Sequence, residues 1–132
     1  MANLITAVNA YRPKLILGNT VKMKELVEYI AGRTGLNKGD ISMVLSELSE
    51  TVIFFNKSGK GVKLDGLGTY LPSIDTQGDL SISHRVDNEI KNAINQKGAY
   101  IGDIQNKENI GKSNEEYIKM WNKDHPADLV SL

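Results

Sequence analysis

Two short glycine-containing stretches have residue types that could bind phosphate, and the first is Gly66-Leu67-Gly68. A dinucleotide-binding loop needs a third glycine and a following helix whose N-terminus faces the phosphates. Here an alternating, strand-like pattern follows Gly68 instead. We therefore interpret the stretch as a tight turn between two strands, where glycines supply backbone conformations that other residues avoid.

The second stretch, Gly111-Lys112-Ser113, is similar to the end of a P-loop. A P-loop has another glycine five residues before this Gly-Lys pair, where the chain has Asn106, and it follows a buried strand, which is not predicted here. Ser113 and Glu116 instead have the spacing of a capping box, in which the two residues satisfy each other's backbone donors. The pattern predicts that a helix begins at Ser113.

The remaining candidates for chemistry are two histidines and two aromatic residues. His84 and His125 are far apart, and no acidic residue stands at ligand spacing on the same helix, so we predict no metal site. No serine, histidine and acidic residue suggest a triad, and we expect no catalytic residue, no cofactor and no enzyme activity. Tyr117 and Trp121 could stack on bases, but with Ile118 they form the apolar stripe of a packing face.

Length and charge limit the class of protein. The 132 residues suffice for one domain with a core plus an extension. Sixteen basic residues balance sixteen acidic ones, so the overall positive charge typical of nucleic-acid binders is absent. The chain has no cysteine, which excludes disulfides and favours a reducing compartment. No segment approaches the roughly 20 apolar residues of a membrane span, so we expect a soluble, cytoplasmic protein without membrane contact.

Periodicity predicts an α+β domain at residues 20–97. A helical pattern beginning at Val21 should end near Gly35, and a second one follows an N-cap at Asn37. Three alternating strand patterns then form a meander up to Val86, and a short third helix has Asp87 as its N-cap.

Shorter elements flank this domain. Residues 1–19 contain two apolar runs interrupted by Pro13, and we interpret them as an irregular, strand-like arm. Residues 98–132 are interpreted as a C-terminal extension. It holds a strand candidate at residues 99–101, a helix from Ser113 to about Lys123, and a tail from Asp128 to Leu132.

Four stretches in this order, residues 26–31, 35–40, 62–70 and 89–94, resemble the bacterial histone-like HU/IHF family. The strongest match is Gly66-Leu67-Gly68-Thr69-Tyr70, which is similar to that family's Gly-Phe-Gly-Thr-Phe turn. The resemblance implies a two-helix N-terminal unit, a three-stranded antiparallel sheet and a short third helix, to which this chain adds a C-terminal strand and helix. It also implies an intertwined homodimer whose two long β-arms reach around DNA, with a wedging proline at each tip.

The chain departs from the family where that family contacts DNA. Only residues 75–79 separate the second and third strands, so we expect no long arm, and Pro72 lies within a strand, where it cannot act as the wedge. Asp87 and Asn88 also stand where the family has Gly-Lys before its last helix. We expect the Asp87 carboxylate to fill the phosphate-attracting N-terminus of that helix.

Two functions follow from these observations. The first, which the resemblance implies, is a nucleoid-associated homodimer that contacts the backbone of double-stranded DNA weakly and without sequence preference. The second is an armless module that dimerises and binds an unidentified protein partner but not DNA, and the zero net charge favours it. The candidate DNA-binding cations, each of which could equally be a solvated surface residue, are Lys60, Lys63, Arg85, Lys91 and Lys97, with Arg12 and Lys14 from the N-terminal arm.

Overall fold

The computed structural model describes residues 2–131, which form two compact units. The central unit comprises residues 20–100, and the terminal unit combines the segments before and after it. The elements in chain order are α1 (Leu4–Tyr11), β1 (Lys14–Ile16), α2 (Met23–Thr34), α3 (Lys38–Lys57), β2 (Val62–Leu64), β3 (Gly68–Ile74), β4 (Leu80–Val86), α4 (Asn88–Asn95), β5 (Asp103–Gln105), a 3₁₀ turn (Lys107–Asn109) and α5 (Asn114–Asp124).

The predicted helix pair of the central unit is confirmed, and local capping explains its bounds. Gly35 ends α2 in the left-handed conformation, with φ of 74°. The side chain of Asn37 then accepts hydrogen bonds from the backbone N–H groups of Gly39, at 2.7 Å, and Asp40, at 3.4 Å, which starts α3. Val27 and Ile41 are the buried aliphatic residues of the two helices.

The predicted three-stranded meander is also confirmed, with strand order β2-β3-β4 and antiparallel pairing throughout. Ile74 pairs with Leu80, so a five-residue turn closes the hairpin between β3 and β4. The Asp75 carboxylate fixes this turn by accepting the N–H groups of Gln77, at 2.8 Å, and Asp79, at 3.0 Å. The hairpin therefore ends where a long arm would begin, as the sequence predicted.

The predicted tight turn lies between β2 and β3, but it comprises Asp65, Gly66 and Leu67, and Gly68 is already the first residue of β3. Gly66 has φ of 80°, a left-handed conformation that suits glycine. A Cβ atom on Gly68 would collide with the Arg85 carbonyl oxygen and with the His84 ring. Gly68 is therefore required because β4 approaches the backbone of β3 closely at this point.

One buried polar side chain joins α3 to the sheet. Asn56 is 7% exposed, and its Nδ2 donates to the carbonyl oxygens of Lys60, at 2.8 Å, and Tyr70, at 3.3 Å. These two bonds hold the C-terminal end of α3 against the start of β2 and the middle of β3.

The terminal unit is built from both segments together. Helices α1 and α5 pack around Ala7, Ile118 and Val130, and β1 pairs with β5 so that Leu15 lies opposite Ile104. Asn109 donates from Nδ2 to the Tyr11 carbonyl oxygen at 2.7 Å. Neither segment has this core without the other.

Three predictions for this unit were wrong. Residues 4–11 form a helix instead of a strand-like arm, because Asn3 caps it by accepting the Thr6 N–H at 3.0 Å and its inner side packs on α5. The strand expected at residues 99–101 lies instead at β5, where β1 supplies its partner, and Ile101 is 93% exposed. The expected tail is ordered through residue 131: Val130 is buried and bonded twice to Asn122. Leu132 lies outside the described residues.

Candidate nucleic-acid interface

The alternation of β-strand side chains gives the sheet of the central unit two faces of different chemistry. On the inner face, Leu64, Tyr70 and Ile82 line a cavity together with residues of α3. The opposite face, which we call the outer face, carries hydroxyl groups and two cations. None of the three strands β2, β3 and β4 contains an acidic residue. The members of the outer face are Lys63, Thr69, Leu71, Ser73, Ser81, Ser83 and Arg85.

The strand register brings two of the predicted cations together. Lys63 pairs with Thr69, and Thr69 pairs with Arg85, so the three residues form one rank across β2, β3 and β4. The two edge strands of the sheet, β2 with Lys63 and β4 with Arg85, lie about 10 Å apart, twice the usual strand spacing. Both cationic side chains are exposed. A shallow depression of about 240 Å³ lies beside this rank, lined by Lys63, Gly68, Thr69, Arg85, Val86, Asp87 and Asn88.

The hydroxyl groups of the outer face were not predicted as functional. Ser73 and Ser81 face each other across β3 and β4, and their hydroxyl oxygens are 2.9 Å apart. Thr69 lies between the two cations of the rank. Hydroxyl groups both donate and accept hydrogen bonds, which makes them common partners of phosphate oxygens. The sequence did contain a signal for them, because side chains two residues apart in a strand lie on the same face of the sheet. This alternation places the hydroxyl residues on the face that also carries Lys63 and Arg85.

The other cation candidates are more scattered. Lys60 precedes β2, with its Nζ 6.0 Å from the centroid of the Phe55 ring. Lys91 lies on α4 and Lys97 follows that helix, and both are exposed. Arg12 and Lys14 belong to the terminal unit. There the Arg12 Nε donates to Asn9 Oδ1 at 3.2 Å.

Asp87 does not occupy the N-terminus of α4 in the way that the sequence suggested. It stands at the N-cap position, but its side chain makes no capping hydrogen bond. Its carboxylate instead accepts the Gly66 N–H at 3.0 Å, which ties the turn between β2 and β3 to the end of β4. The expectation that this carboxylate fills the helix end was therefore wrong, because the turn supplies a better placed donor.

The inner face leaves much apolar surface uncovered. Two open cavities of about 480 and 390 Å³ lie between the sheet and α3, and Ile53, Asn56 and Ile82 line both. Leu80 is 77% exposed and Ile82 is 55% exposed, although both belong to the face that points towards α3. The large apolar residues exposed in the central unit also include Met23, Leu36, Met43, Val44, Phe54 and Ile74.

The aromatic residues of α5 serve packing, as predicted. Tyr117 is buried, and its hydroxyl donates to the Asn109 carbonyl oxygen at 3.1 Å. Trp121 packs against the core of the terminal unit and donates from Nε1 to the Asp128 carbonyl oxygen at 2.7 Å. The His125 ring stacks on Trp121 with centroids 3.7 Å apart. These contacts use Tyr117 and Trp121 for packing within the terminal unit.

One titratable group of the terminal unit is perturbed. Tyr11 donates its hydroxyl to Asp124 Oδ2 at 2.5 Å. Burial of the phenol, together with this hydrogen bond and the negative charge of Asp124, raises the pKa of Tyr11 to about 12. The pair joins α1 to α5 within the terminal unit.

Between residues 2 and 131, no group of three histidine or acidic side chains is placed to hold a metal ion. Likewise, none of the helices described there is both long and apolar enough to cross a membrane.

Comparison with known proteins identifies one family. The matching family model, HU-HIG, is described as an HU domain fused to a wHTH, Ig or glycine-rich motif, and it matches residues 6–97. The match begins within α1, includes β1 and ends before β5. Among solved structures, a mutant of HU from Thermotoga maritima is 19% identical, aligns with 56% of this chain and 99% of its own chain, and has a TM-score of 0.49. No curated protein matches the sequence.

Proposed function

Because the chain belongs to the HU-HIG family, we propose that it acts as a homodimer that binds the backbone of double-stranded DNA without sequence preference. The single observation that carries this proposal is the rank of Lys63, Thr69 and Arg85 on the outer face of the sheet. Cations and hydroxyl groups on one surface bind phosphate oxygens, and such contacts carry no sequence information. The net charge of zero does not oppose this, because binding depends on the local charge.

The uncovered inner face supports the homodimer. Two separately compact bodies with the total mass of this chain would expose about 8,300 Å², whereas the chain exposes 10669 Å². The excess, about 2,400 Å², belongs to the whole chain and lies at the upper end of the roughly 1,000–2,500 Å² that each subunit of an obligate dimer buries. A second copy that covers the inner face would leave both outer faces free for DNA.

The same apolar surface also favours a second candidate, a dimeric module that binds another protein and no DNA. The missing arm removes the wedge with which such proteins kink DNA, and Asp87 adds a negative charge beside the rank. In this alternative the rank is an ordinary solvated surface. Both candidates require the dimer, so only a nucleic-acid measurement separates them.

Fluorescence anisotropy with a labelled, mixed-sequence duplex in a salt series makes that measurement. We expect weak binding at about 50 mM salt and a log–log slope between about −2 and −5, which corresponds to a few phosphate contacts. Two unrelated duplex sequences should bind equally. No binding at about 50 mM salt would exclude the DNA-binding proposal and leave the protein-interaction module.

Multi-angle light scattering tests the dimer separately. We expect twice the mass of one 14.6 kDa chain at micromolar concentration. A monomer across that range would contradict both candidates, since each relies on a second copy to cover the inner face.

A further inference from the structure

We propose that the depression beside Lys63, Thr69 and Arg85 is a seat for one phosphate group of the nucleic-acid backbone, and that Asp87 keeps the affinity of this seat low. The inference rests on the proposed DNA binding. It adds the position of one phosphate and the identity of a residue that weakens its binding.

The lining of the depression provides the donors that a phosphate requires. Lys63 and Arg85 approach from the two outer strands, about 10 Å apart, so their long side chains can meet over Thr69, which lies between them. An arginine can bind two phosphate oxygens at once, whereas a lysine acts as a point charge, and the threonine hydroxyl adds a third donor. The volume of about 240 Å³ is sufficient for one phosphate group.

Asp87 places a negative charge in the same lining. Its carboxylate is fixed because it accepts the Gly66 N–H at 3.0 Å, and it cannot leave the depression without breaking that bond. A carboxylate a few ångströms from a bound phosphate cancels much of what one of the two cations contributes. The seat therefore combines two cations with one built-in opposing charge, which favours rapid release of the backbone.

An isosteric variant isolates this charge. Asp87→Asn keeps an oxygen that can accept the Gly66 N–H and removes only the negative charge. We expect it to bind duplex DNA about threefold to tenfold more tightly per protomer at about 50 mM salt. The matched control is Glu50→Gln, which removes one exposed carboxylate from α3 of the same unit and should change affinity less than twofold.

A second variant keeps the proposal testable if Asp87→Asn unfolds the turn. Thr69→Val retains the shape and strand propensity of the residue and removes the hydroxyl donor. It should weaken duplex binding about threefold to tenfold, the net effect of losing one ordinary hydrogen bond. Thermal melting of each variant shows whether the fold is retained.

Amide chemical shifts of the ¹⁵N-labelled full chain distinguish the sources of phosphate. We expect duplex DNA and, at higher concentration, inorganic phosphate to shift the same signals, those of Thr69, Arg85 and Asn88, and phosphate to compete with the duplex. If the duplex binds without shifting these signals and Asp87→Asn behaves as its control, the seat is refuted while DNA binding stands. If inorganic phosphate shifts them and the duplex does not bind, the nucleic-acid backbone is excluded as the ligand. If neither ligand has an effect, the seat and the DNA-binding proposal both fail.

Discussion

Removing the two cations of the rank should reduce the salt dependence of DNA binding. Lys63→Gln and Arg85→Gln together remove the cations of one phosphate contact from each protomer, and of two contacts from a dimer that uses both outer faces. Each contact contributes about 0.9 to the slope of log affinity against log salt, so the double variant should flatten this slope by up to about 1.8. Between 50 and 200 mM salt, such a difference corresponds to about 12-fold in affinity.

Anisotropy titrations of the double variant at four or five salt concentrations measure this effect. The matched control is Lys24→Gln with Arg33→Gln, which removes the same charges from exposed positions on α2. Because glutamine keeps most of each side-chain stem, circular dichroism and the melting temperature should remain those of the parent chain. The reasoning is refuted if the slope stays within about 0.5 of the parent value, or if the control flattens it equally.

Three further substitutions test other parts of the structure. Ile82→Glu puts a charge between the two apolar cavities and should convert the dimer to a monomer in light scattering, whereas Ser83→Glu, on the outer face of the same strand, should leave the mass unchanged. Gly68→Ala should lower the free energy of unfolding in urea by more than about 2 kcal/mol, because its Cβ meets β4, whereas Gly78→Ala, with open space around it and φ of 88°, should cost only about 1 kcal/mol. Tyr11→Phe should remove the ionisation near pH 12 from absorbance titrations, because Tyr11 is the phenol with the raised pKa. The raised pKa stabilises the fold below pH 10, and this contribution is lost as pH rises from 10 to 12. An ionisation near pH 12 that persists in the variant would contradict the effect of the Tyr11–Asp124 contact.

The central unit could be predicted from the sequence because its signals are local. Asn37 and Gly35 mark helix ends, and strand alternation changes at Gly66 and Gly68. The hairpin turn also fixes the register: once Ile74 is opposite Leu80, antiparallel pairing places Thr69 opposite Arg85 five positions further back. The pairing of Thr69 with Arg85 was therefore implicit in the length of this turn, and the pairing of Lys63 with Thr69 in the length of the turn between β2 and β3.

The terminal unit could not be predicted in the same way. Its helix α1 depends on packing against α5, more than a hundred residues later, and periodicity within residues 4–11 gives no sign of that partner. β5 is a three-residue strand whose position is set by β1, so local propensity favoured the more apolar residues 99–101 instead. The Asn3 cap was the one local signal for a helix at this end, and the β-branched residues that follow it obscured the signal.

The proposed DNA contact does not require the arm, because the rank lies far from the tip of the hairpin. An arm extends from the tip of the β3–β4 hairpin, whereas Thr69 and Arg85 lie five positions from the Ile74–Leu80 pair, which is about 17 Å along the strands. Shortening the tip removes the wedge and the wrapping surface but does not alter the pairing at the base, which depends on the β2–β3 turn and on Asp87. A protein reduced in this way should bind one side of a nearly straight duplex, so its affinity should depend on salt much more than on the flexibility of the DNA.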